Sequence, residues 1–107
     1  MALIIWKRKV RLQLRKQLEY AREEFGLLTA RRWVEQLIQF EERVKDYPAS
    51  YTPVRELKDE SILYRGCTVM KNFKIIYYYE EPVDTVVIVT LWDMRRNPLR
   101  LVEEFKK

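Results

Sequence analysis

The sequence predicts an α+β domain, and three observations carry that prediction. Apolar residues recur at helical steps between Val10 and Val44. Beyond Leu63, the runs Phe73 to Tyr79 and Val86 to Trp92 hold apolar or aromatic residues at odd and even positions alike, the pattern of strands that want cover on both faces. A stretch rich in proline, serine and acids separates the two regions. Two substantial helices suffice to cover one face of such a sheet, so its other face is expected to stand open as a binding surface.

Each element follows in order. Leu3 to Trp6 reads as a short first strand. Val10, Leu14, Leu18, Ala21 and Phe25 then recur at steps of 4, 4, 3 and 4, which predicts a helix from Arg8 to Phe25 closed by Gly26. Thr29 is expected to cap a second helix, whose stripe of Trp33, Leu37, Phe40 and Val44 is broadened by Val34 and Ile38 and ends near Asp46. The short join makes the pair an antiparallel hairpin with both stripes in the core. From Tyr47 to Ser61 the pattern dissolves into a surface connection with Val54 and Leu57 as isolated apolar anchors. Pro98 opens a short terminal helix carrying Leu101, Val102 and Phe105, a tail that either docks on the domain or awaits a partner.

If Lys71-Asn72 is a two-residue turn, Met70 opposes Phe73 and Cys67 opposes Ile76. One face then collects Ile62, Tyr64, Phe73, Ile75, Tyr77 and Tyr79 beneath the helices. The other collects Leu63, Arg65, Cys67, Val69, Lys74, Ile76 and Tyr78.

The whole chain sets limits on what such a face does. Its 107 residues form one domain, 1–107, and 48% apolar content is ordinary for a globular protein. Cys67 is the single cysteine and reads as a small apolar strand residue, and with no histidine no metal site is expected. No stretch approaches the roughly 20 apolar residues that span a bilayer, so no membrane contact and a cytoplasmic location are expected. The net charge is +5. Lys7, Arg8, Lys9, Arg11, Arg15 and Lys16 precede the first acid. Cations there oppose the helix dipole, so helix stability does not account for them, and Lys7, Arg8, Arg11 and Arg15 become candidates for contact with nucleic acid or an acidic partner.

Arg65, Lys74 and Tyr78, joined by Arg95 and Arg96 from the end of the last strand, have the chemistry of a phosphate-binding surface. Guanidinium groups grip phosphate bidentately and a tyrosine stacks on an unpaired base. If cleavage occurs, the cations of Lys74, Arg95 and Arg65 stabilise the phosphorane while Tyr78, Lys74 or Asp93 moves the proton. Lys71, in the turn, joins Arg96 as a target contact.

In this order the residues resemble a known family. Ile4-Ile5-Trp6, Glu23-Glu24-Phe25-Gly26, Pro53-Val54-Arg55-Glu56-Leu57, Tyr64-Arg65, Asn72-Phe73-Lys74-Ile75-Ile76-Tyr77 and Trp92-Asp93-Met94-Arg95-Arg96-Asn97-Pro98 resemble the RelE/ParE superfamily of type II toxin-antitoxin toxins over nearly the whole chain. The resemblance implies a β-α-α-β-β-β order, with a mostly antiparallel four-stranded sheet against a helical hairpin and a short C-terminal helix. It also implies a growth inhibitor, acting without cofactor, neutralised by a cognate antitoxin arm and reaching operator DNA only through that antitoxin. Ile76, Val69, Trp92, Leu101 and Phe105 are the residues expected to meet the arm. RelE-like members cleave ribosome-bound mRNA, whereas ParE-like members inhibit DNA gyrase. Lys74 falls where RelE-like members commonly carry an arginine, and Arg95 or Arg96 matches the basic pair after the last strand. Asp93 stands where many relatives have histidine, a departure that weakens the nuclease reading. Gyrase is the preferred target; the alternatives are a metal-independent endoribonuclease and a non-toxic member serving antitoxin autoregulation.

Overall fold

The chain runs β1 (Leu3–Trp6), α1 (Arg8–Phe25), α2 (Leu27–Asp46), a 3-10 turn (Arg55–Leu57), β2 (Arg65–Val69), β3 (Phe73–Glu80), β4 (Thr85–Asp93) and α3 (Pro98–Phe105). These assignments come from a computed structural model that describes residues 1–106. Both long helices end where their apolar stripes end. The second begins two residues before the expected cap, because Gly26 at φ 92° reverses the chain alone. Its N–H donates to the Arg22 carbonyl at 3.1 Å and its own carbonyl accepts from Ala30 at 3.3 Å, closing one helix and opening the next. Thr29 instead donates its hydroxyl to the Phe25 carbonyl.

The strands lie in the order β1-β4-β3-β2. The helical hairpin is the crossover that brings β1 parallel to β4, while the other two pairings are antiparallel. The turn between β2 and β3 differs from expectation. It holds three residues, so Val69 rather than Met70 opposes Phe73. Met70 (φ 51°) and Lys71 (φ 67°) are both left-handed. That one-residue slip changes the side to which every β2 residue points. Phe73, Ile75, Tyr77 and Tyr79 do face the helices, but Arg65, Cys67 and Val69 face them too, while Gly66 and Thr68 turn outward with Lys74, Ile76 and Tyr78. Along β4, Ile76 pairs with Thr90 and Tyr77 with Ile88, leaving Val89 as an unpaired bulge residue.

Two cores result. Val10, Leu37, Phe40 and Val44 pack on Ile75, Tyr77 and Ile88 beneath the helices. On the opposite face Val54, Leu57 and Leu101, with Phe105, pack on Ile76 and Trp92. The open outer face expected from the strands is therefore largely closed by the chain itself: Ile76 is 0% and Trp92 4% exposed. A sheet four strands wide is narrow enough for one amphipathic eight-residue helix and two loop anchors to shield its centre. Val54 and Leu57, read as isolated anchors in a surface loop, are structural parts of that cover. The outer face stays bare at β1, where Leu3 and Ile5 are exposed.

Candidate functional site

The cations expected to share one face stand in three places. Arg65 lies on the helix side, where its Nη1 donates to the Tyr51 carbonyl at 2.8 Å and ties the long loop to the edge strand. Lys74 lies outside, its methylene stem over Gly66 and beside Val54. Tyr78 is also outside, four residues and hence about 13 Å further along the strand. It packs edge-on against Tyr64 at 5.9 Å in a groove of about 330 Å³ also lined by Lys7, Lys9, Glu104 and Phe105. Burial, then the neighbouring Glu80 carboxylate, push the Tyr78 phenol above its ordinary range. It keeps its proton at neutral pH and is poorly suited to accept another group's.

Arg95 stands at the Lys74 end of the sheet but on the helix side, over Phe73. Its Nε and Nη2 donate to the two Asp93 oxygens at 3.0 and 2.9 Å, and its backbone N–H to Oδ1 at 3.0 Å. Those hydrogen bonds hold the Asp93 carboxyl below the usual carboxylate range. Arg96 turns the other way, over the Trp92 ring at 4.9 Å and 3.8 Å from Glu104, so it helps fix α3. Lys9 reaches the same carboxylate at 3.9 Å. Arg8, Arg11 and Arg15 are exposed along α1, spaced to form one stripe, with Arg15 3.6 Å from Glu19. Of the residues expected to meet an antitoxin, Ile76, Val69, Trp92 and Leu101 are buried by the chain and Phe105 is half-buried.

A second concavity brings together Phe25, Trp33 and Phe73, expected in the core, with Lys71 and Arg95, expected at a target site. It lies between the hairpin turn, the end of β4 and the join of the helices, encloses about 240 Å³, and is lined by Tyr20, Phe25, Trp33 and Phe73 with Lys71 and Arg95. Phe25, the last residue of the α1 stripe, is 58% exposed. Gln36 Oε1 accepts the Met70 N–H at 2.6 Å, and the Asn72 carbonyl accepts the Met94 N–H at 2.8 Å, clamping the turn from two sides. Left-handed backbone costs a non-glycine residue on the order of 1 kcal/mol, and these clamps sustain it at two consecutive positions. No periodicity signals such a turn, since Met-Lys lacks the asparagine or glycine that marks one.

Among the described residues, no helix is long and apolar enough to cross a membrane. A family model described as ParE toxin of type II toxin-antitoxin system, parDE, matches residues 4–98. No curated protein matches the chain.

Proposed function

Because this chain belongs to the ParE toxin family of type II toxin-antitoxin systems, we propose that it is a cytoplasmic growth inhibitor held in check by a cognate antitoxin and directed at a protein target, DNA gyrase. The dispersal of Arg65, Lys74, Tyr78 and Arg95 over separate parts of the fold carries this reading. A nuclease of the kind expected needs its cations and its proton-transfer group around one phosphate, within hydrogen-bond reach. Here Arg65 is engaged by a backbone carbonyl across the sheet from Lys74, and Arg95 lies over Phe73 on the helix side. Tyr78 holds its proton.

The antitoxin arm has other ground than the sheet centre. Leu27, Leu28, Val34 and Ile38 stand exposed on the helical hairpin, an apolar surface that favours a docked partner. Leu3 and Ile5 extend the available area at the sheet border. Purified toxin added to gyrase and relaxed plasmid should block supercoiling, and antitoxin should restore it. Normal supercoiling at toxin excess, with cellular messages cut at ribosome-bound sites, would replace this reading by the endoribonuclease one.

A further inference from the structure

The pocket at the hairpin turn shares no lining residue with the apolar surface offered to the antitoxin and lies on the opposite side of the sheet from Lys74, and it stands whichever target the toxin has. Its walls are aromatic rings set at steep angles: Tyr20 meets Phe25 at 5.9 Å and 85°, and Phe25 meets Trp33 at 6.5 Å and 54°. Rings so disposed make a cage that contacts an inserted side chain by edges and faces, rather than two parallel planes between which a nucleobase would slide. Phe25 and Tyr20 remain 58% and 51% exposed, a large aromatic area left wet at the mouth of a concavity.

The rim is cationic. Lys71 is exposed at the apex of the clamped turn, and Arg95 lies 5.9 Å over the Phe73 ring. Of the five N–H donors of a guanidinium, Asp93 engages two side-chain donors of Arg95, which leaves the others available to a ligand carboxylate. Lys16, one helical turn before Tyr20, and Arg32, one turn before Gln36, add positive charge, against Glu24 one turn beyond Tyr20 and the Asp93 carboxylate paired with Arg95. Backbone strain at Met70 and Lys71, maintained by Gln36 and Met94, holds the lysine at this position.

We infer that this pocket anchors an acidic polypeptide segment: one bulky apolar side chain enters the cage, and carboxylates flanking it pair with Lys71 and Arg95. Pockets that take up one bulky side chain are where a few residues supply most of an interface's binding.

The test uses the full chain and a capped peptide with one phenylalanine between aspartates, beside the same peptide with alanine in its place and a short single-stranded oligonucleotide. The indole N–H resonance of Trp33, assigned through Trp33→Phe, reports occupancy. The phenylalanine peptide should shift it saturably, with affinity falling as salt rises. Phe25→Ala and Lys71→Glu should each weaken binding about tenfold, while Arg100→Ala on the exposed side of α3 should not. The inference is overturned if millimolar peptide leaves the resonance unmoved, if the alanine peptide binds equally well, or if the oligonucleotide alone moves it.

Discussion

The side chain of Lys74 lies across Gly66 so closely that a β-carbon on the glycine would stand 2.7 Å from Lys74 Cδ and 3.1 Å from Val54 Cγ2. The lysine is thus held over the outer sheet by the absence of a neighbour's side chain. Gly66→Ala should displace the ammonium group and cost about 1 kcal/mol, the low end for overpacking because the lysine stem can yield. Denaturant unfolding checks the energy, and the amide shifts around Lys74 check the displacement.

If the protein target reading holds, Lys74 and Tyr78 act on no phosphate. Lys74→Ala and Tyr78→Phe should each leave growth arrest intact on induction, with transcripts of unchanged length. Loss of arrest in both, at normal protein level, would return the nuclease reading to first place.

Leu101 is buried against Val54, Leu57, Ile76 and Trp92. Truncating such a side chain typically costs about 2 to 5 kcal/mol. Leu101→Ala should therefore loosen α3 and wet Trp92, seen as a red-shifted tryptophan emission that precedes the main unfolding transition.

Lys71 has a backbone conformation natural to glycine. Lys71→Gly should raise stability by about 1 kcal/mol through relief of that strain. The same change should weaken peptide capture at the pocket. A variant that gained both would show that the strain serves nothing there.

Asp93 has a depressed carboxyl pKa, chiefly from the Arg95 hydrogen bonds. Its contribution to stability is present above the ordinary carboxylate pKa of about 3.9 and is lost as pH falls through the lower folded-state value. Wild type should melt above Asp93→Asn at pH 7, and the gap should close on acidification. A gap unchanged down to about pH 2, below the ordinary range, would mean the carboxylate charge is not what matters.

The helices were legible because their stripes persist over about three turns or more, and β3 was legible because its parity depends only on itself. The parity of β2 was not, since it depends on the turn, and two left-handed residues at Met70 and Lys71 leave no compositional trace. The cover on the outer face was hidden for a different reason: Val54, Leu57 and Leu101 act from separate segments, and no window of sequence joins them. That dispersal also explains why the cations read together as one site. Arg65 and Lys74 are close along the hairpin, yet a pleat sends them to opposite sides.

Val89 is an extra residue in the last strand that the pairing passes over. Because it is counted by neither neighbour, Ile88 and Leu91 both reach the helices although an odd number of positions separates them, and Trp92 is delivered to the small core under α3. Exchanging this valine for another residue alters one contact. Deleting it would close the bulge and restore plain alternation, with Thr90 still opposite Ile76, Leu91 still on the helices, Trp92 still under α3 and Asp93 still opposite Phe73. A one-residue deletion should accordingly be tolerated here far better than at the paired positions on either side, where it would reverse the faces of the residues that follow.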